Sequence, residues 1–196
     1  MKGWLPDAIA YYSGPAADVY FQRAVKTLEG AGLDPVVVVD FFPDRAGILC
    51  GVNEARDLLC EALAGEDQLW ALADGDAMAA KEVVMRVRAP YSHFGVYETA
   101  LLGMLASCSG WASRAREVVD AAGGKRVISF GARHVHPLVG PVMEYAAIVG
   151  GCAGCAESGS TRRGNGVASP LSWSRRSGPG STRPGTRASV STSVEA

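Results

Sequence analysis

The longest helical periodicity in the chain runs over residues 94–122, where Val96, Leu101, Leu102, Leu105, Ala112, Ala115, Val118 and Val119 recur near core spacing. Ser109-Gly110 within it allows a bend or break between two helices, and Gly123-Gly124 predicts its end. Residues 16–31 repeat Val19, Phe21, Val25 and Leu28 at similar spacing before Gly30 and Gly32, predicting a helix with Asp18 in its first turns. Residues 36–42 are a continuous β-branched and aromatic run after Pro35, which predicts a strand buried on both faces. A short apolar run at 48–52 leads into a predicted helix over 53–64, capped by Asn53, with Ala55, Leu58, Leu59 and Leu63 as its buried stripe. Asp74-Gly75 marks a turn. Residues 82–88 partly alternate, as a half-exposed strand would, and stop at Ala89-Pro90. A β-prone run at 126–130 and an apolar helical run at 139–149 follow. Pro141 is tolerable in that helix's first turn, and Gly150-Gly151 closes it.

This order predicts an α+β amino-terminal domain over residues 1–122. It is followed by the first β/α unit of an incomplete α/β barrel over 123–156. One strand and one helix leave both sheet edges unpaired, so this unit is expected to begin something larger. Residues 157–196 are mostly Ser, Gly, Arg, Thr and Pro, with Val167, Leu171, Trp173, Val190 and Val194 as the large apolar residues. They bury too little surface to offset chain entropy of about 1–2 kcal/mol per residue, which predicts a disordered tail. A change from periodic to patternless sequence near residues 152–157 is what reading a GC-rich gene in the wrong frame would give. A frameshift or truncation is expected there, with a basic tail for an acidic partner as the competing reading.

Charge narrows the function classes. The formal net charge is −1, and before the tail acids outnumber bases, so no basic footprint points to nucleic acid. No charged-then-apolar leader and no bilayer-length apolar run occur, which predicts a cytoplasmic protein with no membrane partner. Five cysteines without framework spacing fit free thiols in a reducing compartment, and Cys152-x-x-Cys155 lacks the second half of a metal site.

Chemistry gathers at Phe130-Gly131-Ala132-Arg133-His134-Val135-His136-Pro137, one aromatic, one Arg and two His after a predicted strand. The carboxyl end of a strand in a parallel sheet or barrel is where ligand-binding loops open. Arg133 suits a substrate anion. His134 and His136 can alternate across an extended loop, so no metal is assigned to them. On residue type alone, Tyr20 and Phe21 also suit a core or an interface, Phe130 a core, and Arg133 a surface ion pair.

Several stretches, in order, resemble the nicotinate phosphoribosyltransferase family: Asp18-Val19-Tyr20-Phe21, residues 47–52, Val84-Met85-Arg86-Val87, Tyr97-Glu98-Thr99-Ala100-Leu101-Leu102-Gly103, residues 109–114 and residues 130–137. The resemblance implies an enzyme of NAD salvage that joins nicotinate to phosphoribosyl pyrophosphate, giving nicotinate mononucleotide and pyrophosphate. It also implies Mg²⁺ and coupled ATP hydrolysis in an intact member, and a homodimer whose sites are completed by the partner's amino-terminal domain. By the same resemblance Phe130 stacks on the pyridine and Tyr20 of a second copy covers the other face. Arg133 binds the carboxylate or a phosphate, His136 contacts the ligand with His134 behind it, and Asp18 is expected to bind substrate together with Tyr20. The related quinolinate enzymes carry an Arg where this chain has Glu98, and an acid there disfavours a dicarboxylate. Two departures are expected to matter. Ala153 replaces a family Asp, and the later barrel units, with their phosphate loops and phosphorylated His, have no counterpart in the sequence pattern. The polypeptide alone is therefore expected to be inactive, the other readings being a non-catalytic fragment that only dimerises, or a phosphoribosyltransferase for another pyridine base.

Overall fold

A computed structural model describes residues 17–156; the expected disordered tail at 157–196 lies outside them. The elements, in chain order, are α1 (Val19–Gly30), β1 (Val36–Phe41), β2 (Gly47–Ile48), α2 (Val52–Ala62), β3 (Gln68–Ala71), β4 (Ala77–Met78), β5 (Met85–Pro90), α3 (Tyr91–Phe94), a 3₁₀ turn (Gly95–Tyr97), α4 (Glu98–Ala121), β6 (Ile128–Ser129), a second 3₁₀ turn (Ala132–His134), α5 (Gly140–Val149) and β7 (Gly154–Cys155). This is the expected α+β domain followed by a β/α unit.

The main sheet is antiparallel, in the order β1-β5-β3, with Val39 and Leu69 both opposite Val87. Period-two alternation puts Val37, Val39, Phe41, Met85, Val87, Ala89, Leu69 and Ala71 on one face. That face meets Ala55, Leu58 and Leu59 of α2, Phe94, and Leu101 and Leu105 of α4 in the principal core. Burying each large side chain is worth roughly 1.5–3 kcal/mol. Helices cover only this face. The 36–41 strand is therefore not buried on both faces as its composition predicts: it is a sheet edge, and Val36 and Val38 on its outer face are 55% and 49% exposed. On that outer face Asp40 pairs directly across the ladder with Arg86, whose Nη2 lies 2.6 Å from Oδ2.

Three further expectations change. The 98–121 helix is continuous through Ser109-Gly110. The Ser109 hydroxyl accepts from the Cys50 amide at 3.0 Å and donates to the Cys50 carbonyl at 3.1 Å, and one turn on, Ser113 Oγ accepts from the Ile48 amide at 2.9 Å. The two serines thus act as a docking edge for the 48–50 backbone, and the 48–52 run forms only the two-residue β2. Second, Asn53 lies inside α2, whose N-cap is Gly51 with no side-chain cap bond. At Gly51, φ is +94° and a Cβ would lie 2.6 Å from the Met104 carbonyl oxygen, so only glycine fits. Third, β6 is two residues long and is not a lone strand. It pairs in parallel with β7, Ile128 opposite Gly154 and Ser129 opposite Cys155.

The second unit rests on the first through α5 against α4. Their approach is close: a Cβ on Gly150 would sit 2.4 Å from the Ala112 carbonyl oxygen. Ala112, Ala146, Cys50 and Cys108 form the small core between the units.

Candidate active site

Phe130 follows β6 directly and is 59% exposed. The chain then makes the 132–134 turn, in which the His134 amide donates to the Gly131 carbonyl at 2.8 Å, leaving Arg133 and His134 exposed. Arg133 has no ion pair among the described residues. His136 is exposed and its Nδ1 accepts from the Leu138 amide at 3.3 Å, which leaves Nε2 as the nitrogen not engaged by that bond. One loop at the carboxyl end of a parallel strand therefore presents an aromatic face, a guanidinium and an imidazole to solvent, the exposed counterpart of what the motif predicts.

A second cluster forms where α1 and α4 begin. Asp18 is the N-cap residue of α1 rather than part of its first turn, and its amide donates to Thr99 Oγ1 at 2.9 Å. Tyr20 is 58% exposed, packs its ring 4.1 Å from Phe21, and donates to Asp18 Oδ2 over a long 3.4 Å. Glu98, at the head of α4, accepts no hydrogen bond and makes no ion pair among the described residues, and its partial burial pushes its carboxyl above the ordinary value. Tyr91 stands within range of that charge: burial first, then the charges of Glu98 and Tyr20, raise its phenol. The sequence-predicted residues thus fall into two groups. Asp18 and Tyr20 share one cluster, while Phe130, Arg133 and His136 share the other. The 132–134 turn packs on α5, whereas α1 packs on the 95–97 turn, so the two groups belong to separate walls of the chain.

Between the units lies a polar junction that sequence reading reduced to a turn. Asp74 Oδ1 accepts from the Val52 amide at 2.8 Å, capping α2 from a distance, and Oδ2 accepts from Asn53 Nδ2 and from the Tyr145 hydroxyl, both at 2.9 Å. Burial foremost pushes the Tyr145 phenol above its usual value. Asp-Gly chemistry flags a turn; nothing in the sequence says that the Asp also serves α2 and α5. Cys152 and Cys155 are both nearly buried, and burial raises the Cys152 thiol, the opposite of what activates a redox or metal-binding cysteine. Ala153 stands at the entry of β7, its amide donating to the Val127 carbonyl at 2.7 Å.

Among the described residues, no group of three or more His, Cys, Asp and Glu side chains is placed to hold a metal ion. Within the same residues, no helix is long and apolar enough to cross a membrane.

Residues 18–109 match the quinolinate phosphoribosyl transferase N-terminal domain, and this part of the chain carries that domain's α+β fold. Among solved structures, the chain is similar to the nicotinate-nucleotide pyrophosphorylase of Pyrococcus furiosus, at 35% identity and a TM-score of 0.74, over 80% of this chain and 41% of that one. The human nicotinic acid phosphoribosyltransferase shares the fold at 20% identity and a TM-score of 0.65, over 79% of this chain and 39% of that one. So does the nicotinate-nucleotide pyrophosphorylase of Francisella tularensis, at 16% and 0.56, over 69% and 51%. The chain thus spans roughly two-fifths to one-half of the length of these relatives.

Proposed function

We propose that this chain carries the pyridine-binding walls of a phosphoribosyltransferase of NAD biosynthesis, with nicotinate as the acid it holds. The observation that carries the reading is Phe130 standing exposed at the end of β6, three residues ahead of an exposed Arg133 that has no ion pair among the described residues. A flat pyridine carboxylate needs an aromatic face and a cation, and this loop offers both. In the reaction, the ring nitrogen of nicotinate bonds to C1′ of phosphoribosyl pyrophosphate as the C1′–oxygen bond breaks and pyrophosphate departs with its electron pair. Here Phe130 orients the ring, Arg133 holds the carboxylate, and His136 Nε2 borders the ligand. Holding the nucleophile in line is itself a large share of such a rate enhancement.

The Asp18, Tyr20 and Glu98 cluster lies on another wall of the same chain, which supports a homodimer in which Tyr20 of a second copy closes the ring's other face. A dicarboxylate is the second reading, favoured by the family match at residues 18–109. Glu98 weighs against it, because a partly buried carboxylate repels a second carboxylate.

Titration of the polypeptide with nicotinate and, separately, quinolinate, followed by NMR shifts at residues 130–136, separates the readings. Nicotinate is expected to shift these signals and Arg133→Ala to weaken binding at least about tenfold, as loss of a charge-assisted pair does. A stronger response to quinolinate, or an Arg133→Ala variant that binds as before, overturns the nicotinate reading. With phosphoribosyl pyrophosphate, Mg²⁺ and ATP added, the polypeptide by itself is expected to give no turnover.

A further inference from the structure

Gly131 stands between Phe130 and Arg133, and its backbone gives no reason for a glycine: φ is −80° and ψ is −17°, angles open to any L-residue. The reason lies on α5. A Cβ at this position would meet the Sδ and Cε atoms of Met143, both at 2.8 Å, so the methyl that glycine lacks is the space the thioether fills. Met143 is buried, and it shares the inner side of α5 with Ala146 and Ala147, so its tail yields only into packed surroundings. Gly131 is also a mechanical junction. Its carbonyl accepts from the His134 amide at 2.8 Å, the bond that closes the turn carrying Arg133, while Phe130 precedes it directly. The thioether thus bears on the one residue that joins the aromatic side chain to the turn with the guanidinium.

We propose that Met143 is a positioning residue of the candidate pyridine site: its thioether is the stop against which Gly131 rests, and this contact sets the resting distance between the Phe130 ring and the Arg133 guanidinium. It acts through Gly131 and not on the ligand. Its effect on affinity rests on the nicotinate reading above, whereas its hold on the loop does not.

A contact that depends on matched sizes can be broken from either side and then remade. Gly131→Ala forces a methyl against the thioether, Met143→Ala takes the stop away, and the double variant gives the new methyl the room that the lost thioether leaves. Nicotinate affinity is read by NMR titration of the whole polypeptide, at a temperature where circular dichroism shows every variant folded, so that lost stability alone does not move it. Each single variant is expected to bind about fivefold more weakly than the parent and the double variant to return to within about twofold of it, the non-additivity that residues in contact show. Exchange of the His134 amide, measured without ligand, is expected to follow the same order, faster in both single variants and slowed again in the double. Single variants that match the parent in both readouts, or a double variant whose loss is the product of the two single losses, overturn the proposal. So does a parent that binds nicotinate with an affinity none of the variants changes. If exchange follows the expected order and the parent binds no nicotinate, the hold of Met143 on the loop stands and the nicotinate reading falls.

Discussion

Glu98 is a residue whose environment carries a functional consequence. Partial burial raises its carboxyl above the unfolded value, so the stabilisation linked to this group is full below about pH 4.3, the ordinary Glu value, and is lost as pH rises through the folded pKa. Glu98→Gln is accordingly expected to be more stable than the parent at pH 7 and to converge with it below pH 4, as urea melts across that range will show. Glu98→Arg should move preference towards quinolinate in the same titration used for nicotinate, because a cation replaces the repelling acid. The residue itself was legible in the sequence, from the acid standing where quinolinate enzymes have an Arg. Its half-buried state, without a hydrogen-bond or ion-pair partner among the described residues, was not, because that depends on α1 folding across the head of α4. Asp74 shows the same limit: its turn could be read, but its bonds to Val52, Asn53 and Tyr145 span up to 71 positions in sequence and no local pattern encodes them.

At the scale of elements, composition misled wherever burial is decided by a neighbour. The valines of β1 read as a fully buried strand, yet the strand lies at the edge of a sheet that has helices on one side only. Ser109-Gly110 read as a break because a hydroxyl and a glycine are poor helix formers, but Ser109 gains two backbone partners on the 50 peptide and the helix continues. Ser109→Ala leaves the buried Cys50 amide and carbonyl without that hydroxyl, which is expected to cost about 1–3 kcal/mol in chemical denaturation. The alternation of β5 and the apolar stripe of α2 were legible because their periods alone set the inner face. The two short strands at 68–71 and 77–78 were missed, being too brief to show a period.

For the molecule as a whole, the acid limb of stability is expected to depend on Asp67. The Ala64 amide, 2.9 Å away, and then His93, whose Nδ1 shares a 2.6 Å hydrogen bond with Oδ2, hold its carboxyl below the usual range. Since the folded pKa lies under the unfolded value, the contribution is complete above about pH 4 and disappears as pH falls through the folded pKa. Asp67→Asn should therefore flatten the loss of thermal stability below pH 4, which circular dichroism melts can follow. The two-part organisation, an α+β domain leading into a β/α unit, was legible from the order of patterns. The pairing of β6 with β7 was not, since two residues on each strand leave no trace in composition.

The uninterrupted 98–121 helix also sets how the molecule can move. At about 1.5 Å per residue, Glu98 and Ala112 stand some 21 Å apart on one rod. Its head carries the acid that faces the substrate question, and its middle is clamped to Gly150 of the second unit. A hinge between the units would have to bend that rod or pull Gly150 off the Ala112 carbonyl. The two units of the described chain therefore travel as one beam, and freedom of movement is left to segments outside that rod, such as the exposed 130–136 loop after β6.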